Sequence, residues 1–182
     1  MTQRNNKTGI TDIPDKNILI LGCGNILFGD DGFGPRVVEE LLKNYNLPEN
    51  AGVINAGTSV RNILFDIALC EKKPEKIIIV DAIDAGKTPG EIFELPIDEI
   101  PEKKIDDFSM HQLPTSNLLK ELKDLCKVNV IIIACQVENI PTEVTTTISK
   151  KLIEVIPEVC KRIIDIIFTC FRNTEEKQHW PE

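Results

Sequence analysis

Three side chains that commonly bind divalent cations stand far apart in the chain: Asp31, Asp81 and His111. Asp31 follows an apolar run and a glycine-rich turn, and Asp81 comes directly after the apolar run 77–80. His111 lies in a polar, proline-bearing stretch that precedes a run with helical spacing. Carboxylates and imidazoles are ordinary ligands of divalent transition metals. If the fold brings these three side chains together, they form a plausible site for one such ion.

Each of these residues also has a purely structural interpretation. Asp31 could be a helix cap or a turn residue, and its neighbour Asp30 is the better candidate for the cap. Asp81 is harder to dismiss, because a carboxylate at the end of a buried strand must be hydrogen-bonded or paired. A single loop histidine such as His111 is often structural or solvated, although histidine is the commonest imidazole ligand. His179, in the polar C-terminal stretch, is assigned no role.

The glycine-rich turn 22–34 reads GCGNILFGDDGFG. It begins like a dinucleotide-binding fingerprint, but Leu27 stands where that fingerprint needs its third glycine. No acidic residue closes the next apolar strand to bind a ribose, and Asp30 and Asp31 would oppose a pyrophosphate. The turn therefore fits a loop that presents a carboxylate to a cation. Its glycines allow tight turning and the close approach of neighbouring backbone.

Hydrophobic periodicity predicts strands and helices in alternation. Continuous apolar runs indicate buried strands, and apolar residues at helical spacing indicate amphipathic helices. The predicted strands are 17–23, 52–58, 76–82, 91–95 and 127–138. The predicted helices are 35–45, 60–68, 118–126 and a last helix that begins after Ser149 as N-cap, carries an apolar stripe from Leu152 and Ile153 to Ile167, and is kinked by Pro157.

This order of elements favours a three-layer α/β/α sandwich around a five-stranded, mainly parallel twisted sheet. Sites in such sheets form beyond the carboxyl ends of the strands, where Asp31, Asp81 and His111 can meet. We predict a flexible tail at 1–16, a single α/β domain at 17–170 and a polar C-terminal tail at 171–182, frayed after Phe171.

Composition excludes several classes of function. The chain has 182 residues, of which 42% are hydrophobic and 27% charged, which suits one globular domain. The net charge of −8 and the lack of a basic cluster with interleaved aromatics argue against nucleic-acid binding. No apolar run is long enough to span a membrane, and the polar N-terminus lacks a signal peptide's apolar stretch. We therefore expect a cytoplasmic protein.

The six cysteines contain no C-x-x-C pair. Most lie on apolar faces or in strands, which favours buried, reduced thiols. Cys23 is the best-placed candidate for a reactive or metal-binding thiol, and a Cys23–His111 nucleophilic pair is a minor alternative to metal chemistry. No G-x-S-x-G motif supports a serine hydrolase.

Three stretches resemble the nickel-iron hydrogenase maturation proteases: GCGNILFGDDGFGPRVVEEL, IIIVDAID and FSMHQLP. The first is similar to the family's G-x-G-N-x-L-x-x-D-D/E-G-x-G signature, and the S-x-H-x-L context around His111 agrees as well. The resemblance covers roughly residues 17–167. Within the family, the chain is most similar to the archaeal type associated with the deazaflavin (coenzyme F420)-reducing hydrogenase.

The resemblance implies an endopeptidase that removes a short C-terminal extension from the hydrogenase large-subunit precursor after nickel insertion. It implies a five-stranded α/β sandwich and a metal-binding trio that falls here on Asp31, Asp81 and His111, which would also be the catalytic residues. The nickel is implied to arrive with the precursor, and other divalent ions could occupy the site in vitro. Asn55 departs from the acidic or small residue that the family often has at its position.

The sequence leaves two other interpretations open. The protein could be a non-catalytic assembly factor that docks on the hydrogenase large subunit, or a small-molecule-binding domain of nucleotide or methyl-donor type. We expect a monomer whose partner is the large-subunit precursor. The acidic loop beside His111, with Asp98, Glu99, Asp106 and Asp107, would prefer a basic extension, but a solvated loop is an equal alternative.

Overall fold

The computed structural model describes residues 13, 15–97 and 116–177. The acidic loop, His111 and most of the predicted N-terminal tail lie outside these residues. In chain order the elements are β1 (Ile18–Cys23), a 3₁₀ turn (Gly29–Gly32), α1 (Phe33–Asn44), β2 (Ala51–Gly57), α2 (Val60–Leu69), β3 (Lys76–Ile83), β4 (Ile92–Glu94), α3 (Ser116–Asp124), β5 (Asn129–Gln136) and α4 (Lys150–Lys177).

The five strands form one sheet in the order β2-β1-β3-β5-β4. β2, β1, β3 and β5 run parallel, and β4 pairs antiparallel to β5 at the edge. This confirms the predicted five-stranded, mainly parallel sheet. Gly22 of β1 pairs with Val80 of β3, and Asp81 pairs with Ala134 of β5. The segments that follow β1, β3 and β5 therefore meet at one edge, which we call the carboxyl rim.

Helices cover both faces of the sheet. One buried cluster joins the sheet to α2 and α3, and a second joins it to α1 and α4. Along β3, Ile77 and Ile79 belong to the α2/α3 face, whereas Ile78 and Val80 belong to the α1/α4 face. Because side chains alternate along a strand, the next residue, Asp81, points to the α2/α3 face.

A pair of glycines lets α1 begin directly over the sheet. A Cβ atom at Gly34 would collide with the carbonyl oxygens of Cys23 and Val80, and one at Gly22 would collide with the carbonyl oxygen of Gly34. Glycine at both positions allows this close approach. The 3₁₀ turn, which immediately precedes α1, is therefore held at the carboxyl rim, over the ends of β1 and β3.

Two helices differ from their predictions. α4 continues without interruption through Pro157 to Lys177, so residues 171–177, which were predicted as part of the polar C-terminal tail, are helical. Ile153, predicted on its buried stripe, is 50% exposed because it lies one position off the face that contacts α1. α3 ends at Asp124, which leaves Leu125 outside the helix and 78% exposed. The N-cap position of Ser149 is confirmed, because its carbonyl oxygen accepts the first helical hydrogen bonds of α4.

Among the described residues, no helix combines the length and the apolar composition that crossing a bilayer requires.

Candidate metal centre

Asp31 lies in the 3₁₀ turn and is only 3% exposed. Its Oδ2 accepts a hydrogen bond of 2.8 Å from the backbone N–H of Asn25, whereas its Oδ1 is buried without a partner. Gly24, with a φ of +117°, reverses the chain after β1 so that this N–H can reach the carboxylate. One oxygen of Asp31 is thus fixed by backbone, and the other is left to bind something else.

Asp81 lies within β3, two residues before the end of the strand, and is fully buried. Its Oδ1 accepts a hydrogen bond of 2.9 Å from the backbone N–H of Ala82, and its Oδ2 has no partner. A buried carboxylate needs hydrogen-bond donors for both of its oxygens, but the fold supplies a donor only for Oδ1. A buried carboxylate oxygen without a donor is costly, which favours a function over a purely structural role.

The two carboxylates interact with each other. Burial raises the pKa of Asp81 well above its ordinary value, the charge of Asp31 adds to this rise, and the Ala82 hydrogen bond opposes it. Burial also raises the pKa of Asp31, against the effect of the Asn25 hydrogen bond. Like charges that are buried close together repel, and a bound cation removes the repulsion. The two unpartnered oxygens therefore fit a divalent cation.

Cys23 ends β1 beside this pair and is fully buried. Burial raises the pKa of its thiol well above the ordinary value, and the charges of Asp81 and Asp31 raise it further. A thiol in such surroundings stays protonated and is a poor nucleophile. The prediction of a buried, reduced thiol is confirmed for Cys23, and the observation disfavours the alternative Cys23–His111 nucleophilic pair.

The third predicted ligand, His111, lies outside the described residues. Within the described part of the chain, no group of three or more His, Cys, Asp or Glu side chains is arranged to hold a metal ion. Asp31 and Asp81 are the two predicted ligands that lie among the described residues. α3 begins at Ser116, shortly after His111 in the sequence, and packs through Leu119 on the α2/α3 face. Asp81 points to the same face. His111 as the third ligand stays a prediction.

Asp30 does not cap the helix that follows it, so that prediction is wrong. α1 is preceded by Gly32 and has no side-chain cap. The Asp30 carboxylate instead accepts hydrogen bonds from the backbone N–H groups of Glu138, Asn139 and Ser149 and from the Ser149 hydroxyl. These partners are 108 to 119 residues away along the chain, so a local sequence pattern could not reveal them.

Gln136, at the end of β5, is a rim residue that the sequence analysis missed. It is 4% exposed, and its Oε1 accepts hydrogen bonds from the backbone N–H groups of Ala85 (2.8 Å) and Lys87 (3.0 Å). Its Nε2 donates to Asp84 Oδ1 at 3.1 Å. One amide side chain therefore fixes the loop that follows β3 and begins three residues after Asp81. A single polar residue at the end of an apolar run gives no signal of this role.

We expect Gln136→Leu to lower the free energy of unfolding by about 1–3 kcal/mol, because the hydrogen bonds that its side chain accepts from two backbone N–H groups are lost. Urea unfolding measures this, and amide exchange at Ala85 and Lys87 should accelerate. The control is Glu94→Gln, which removes an exposed ion pair with Arg162 and should cost about 0–1 kcal/mol. Unfolding of Gln136→Leu at the wild-type urea concentration would contradict this role of the amide.

Exposed apolar side chains lie in the loop that precedes the 3₁₀ turn. Ile26 and Leu27, in the loop between β1 and the 3₁₀ turn, are 48% and 44% exposed. The carbonyl oxygen of Leu27 accepts a hydrogen bond of 2.8 Å from the backbone N–H of Thr145, which places the exposed Val144 next to them. Isolated exposed apolar residues are common. Here Ile26 and Leu27 directly follow Asn25, whose backbone N–H binds Asp31.

Known proteins match both the sequence and the fold. Residues 35–166 match the family model HycI, described as hydrogenase maturation protease. The chain belongs to the hydrogenase maturation protease family. This confirms the resemblance found in the sequence.

Relatives of this chain are archaeal and bacterial. A candidate hydrogenase maturation protease of Methanocaldococcus jannaschii is 46% identical over 121 residues, which is 66% of this chain and 76% of that protein. The coenzyme F420 hydrogenase subunit delta of Methanothermobacter thermautotrophicus is 36% identical over 157 residues, 84% of this chain and 96% of that one. The second match confirms the similarity to the F420-linked archaeal type.

Solved structures support the same fold. The crystal structure of a [NiFe] hydrogenase maturation protease HycI from Thermococcus kodakarensis superposes with a TM-score of 0.64 at 27% identity. The match covers 84% of this chain and 92% of that chain. The five-stranded α/β architecture is thus that of the maturation proteases.

Proposed function

We propose that this protein is an endopeptidase that removes the C-terminal extension of a nickel-iron hydrogenase large-subunit precursor after nickel has been inserted. The observation that carries the proposal is the pair of buried carboxylates, Asp31 and Asp81, each with one unpartnered oxygen. Membership of the maturation protease family supports the substrate class. We propose further that the protein acts as a monomer in the cytoplasm.

In this proposal the free oxygens of Asp31 and Asp81, together with His111, bind the nickel of the precursor, which is part of the substrate. A divalent ion held there would polarise the scissile carbonyl and would lower the pKa of a bound water well below its ordinary value. Asn25 and Ala82 hold the second oxygen of each carboxylate, so the free oxygens keep their direction. Either carboxylate, once its oxygen is displaced from the ion, could accept a proton from the water.

The raised pKa values explain how the site could distinguish precursors with and without nickel. A carboxylate with a raised pKa holds its proton more firmly, and a metal must displace that proton to bind. Asp81 therefore binds free ions weakly. A nickel ion already held in the precursor binds more strongly, because contacts between the precursor and this protein add to the binding energy. Ile26, Leu27 and Val144 offer the apolar contacts for that docking.

The proposal is tested by incubating the purified protein with nickel-loaded precursor and measuring the mass of the large subunit. We expect loss of the C-terminal peptide with the wild type, and a rate at least about a hundredfold lower for Asp31→Asn and His111→Ala. The control is Glu39→Gln on the exposed side of α1, which should cut normally. Wild-type rates for both site variants, with circular dichroism showing that they are folded, would refute the proposal.

A second candidate function rests on one observation: the Methanothermobacter relative is named as a subunit of a hydrogenase. The protein could then be a non-catalytic assembly factor that docks on the large subunit. The same incubation separates the two functions. A stable complex with the precursor and no change in its mass would favour assembly, whereas release of the peptide would favour proteolysis.

A further inference from the structure

Asp30, the neighbour of Asp31, is 1% exposed and is held by four neutral donors. Its Oδ2 accepts the N–H groups of Glu138 (2.8 Å) and Asn139 (3.0 Å) and the hydroxyl of Ser149 (2.9 Å). Its Oδ1 accepts the N–H of Ser149 at 2.7 Å. A carboxylate at this position also interacts favourably with the N-terminus of α4, which begins directly after Ser149. Asp30 thus joins the 3₁₀ turn to the start of α4.

These hydrogen bonds cross the strand that carries Asp81. Asp30 follows β1, and its partners follow β5, whereas β3 lies between β1 and β5 in the sheet. The 3₁₀ turn therefore spans the end of β3 and is fixed on its far side by the Asp30 carboxylate. This arrangement places the next residue, Asp31, over Asp81.

The two adjacent carboxylates serve opposite faces of the sheet. Asp30 binds the start of α4, a helix of the α1/α4 face. Asp31 lies within electrostatic range of Cys23, whose side chain belongs to the α2/α3 face, and of Asp81. Of the two neighbouring carboxylates in the 3₁₀ turn, Asp30 is hydrogen-bonded through both oxygens. Asp31 has one oxygen without a partner.

We propose that Asp30 is the positioning residue of the metal centre, because its fourfold attachment to the β5–α4 connection sets where the Asp31 carboxylate stands. This inference rests on the proposed function, since it concerns the same site. Replacement by asparagine keeps the size of the side chain, but an amide nitrogen then faces backbone N–H donors. At least one of the four hydrogen bonds is lost, and the 3₁₀ turn is released from the far side of β3.

The position of Asp31 can be measured without an activity assay, because its carboxylate accepts a hydrogen bond from the backbone N–H of Asn25. We expect Asp30→Asn to accelerate hydrogen exchange at Asn25 at least about tenfold under native conditions. The control is Val159→Ala, which removes buried volume in the middle of α4 and lowers the melting temperature without touching the 3₁₀ turn. It should leave exchange at Asn25 unchanged relative to its neighbours.

A second readout is the affinity for nickel(II) chloride, measured by calorimetry. We expect Asp30→Asn to weaken binding about tenfold or more, as loss of support for a metal ligand does, whereas Val159→Ala keeps the wild-type affinity. In precursor processing, the same change should lower kcat more than it raises KM. If Asp30→Asn does not fold, Ser149→Ala, which removes only the hydroxyl donor, should give a smaller acceleration at Asn25.

Exchange at Asn25 that is as slow in Asp30→Asn as in Val159→Ala would overturn the inference, because Asp30 would then serve stability alone. If Asp30→Asn is unfolded, unchanged exchange in Ser149→Ala overturns it. A wild-type protein that neither binds nickel nor cuts the precursor overturns the proposed function instead. The exchange measurement still decides whether Asp30 positions Asp31, so the two failures are distinguishable.

Discussion

Replacing Asp81 with asparagine is expected to abolish precursor processing and, at neutral pH, to stabilise the metal-free protein. Processing should fall at least about a hundredfold, because the neutral amide is neither an anionic ligand nor a base. Stability should rise because a fully buried carboxylate with an unpartnered oxygen and the charge of Asp31 beside it is replaced by an uncharged group. The amide oxygen can still accept the hydrogen bond of Ala82.

The sign of the pH dependence follows from the raised pKa values of Asp81 and Asp31. Below the unfolded-state pKa of about 3.9, both groups are protonated in the folded and unfolded chains. As pH rises above that value, the unfolded chain releases protons first, so the free energy of unfolding falls until the folded-state pKa is passed. Asp81→Asn should remove much of this decline, and a bound divalent ion should offset it.

Urea unfolding between about pH 4 and pH 9, without metal, measures this effect. The matched control is Asp66→Asn on the exposed side of α2, which should leave both the slope and processing unchanged. A variant Asp81→Asn that is less stable than the wild type at every pH would show that Asp81 has a structural partner. The account of an unpaired, functional carboxylate would then be wrong.

The second large effect is expected from Gly24→Ala. Gly24 has a φ of +117°, which alanine disfavours, and its new Cβ would collide with the carbonyl oxygen of Asp31. Strain of about 1–2 kcal/mol and overpacking of about 1–3 kcal/mol together predict a loss of about 2–5 kcal/mol in the free energy of unfolding. Because backbone is the obstacle, the 3₁₀ turn must move, and we expect the Asn25–Asp31 hydrogen bond to break.

Gly86→Ala is the matched control, because Gly86 also has a positive φ, +70°, but no atom within 4 Å of its Cβ position. It should show the strain alone, about 1–2 kcal/mol. Urea unfolding of both variants isolates the collision as their difference. Equal losses in the free energy of unfolding for the two variants would mean that the 3₁₀ turn shifts without cost. This result would contradict a rigid carboxyl rim.

The sheet was predictable because its strands are continuous apolar runs. Ile77, Ile78 and Ile79 indicate burial on both faces, and the alternation of strands with amphipathic helices then favours parallel pairing. The extent of α4 was not predictable from its stripe, because hydrophobic periodicity ends near Ile167. The polar residues that follow include good helix formers, and the helix extends to Lys177.

The sequence could single out Asp31 and Asp81 as candidates, but it could not predict their contacts. Asp31 and Asp81 follow apolar runs, and sites in parallel sheets form beyond the carboxyl ends of the strands. This rule identifies both residues. The unpartnered oxygens depend on which backbone N–H groups come near, and Asn25 reaches Asp31 only through the turn at Gly24. The role of Asp30 depends on contacts across more than a hundred residues, which no local propensity encodes.

The central claim, that Asp31 and Asp81 hold one divalent ion with His111, is tested most directly by an anomalous difference map from crystals soaked in nickel(II) chloride. The account predicts one peak about 2.0–2.3 Å from Asp31 Oδ1, Asp81 Oδ2 and an imidazole nitrogen of His111. Density elsewhere on the molecule, with both carboxylate oxygens still unbound at saturating nickel, would contradict it.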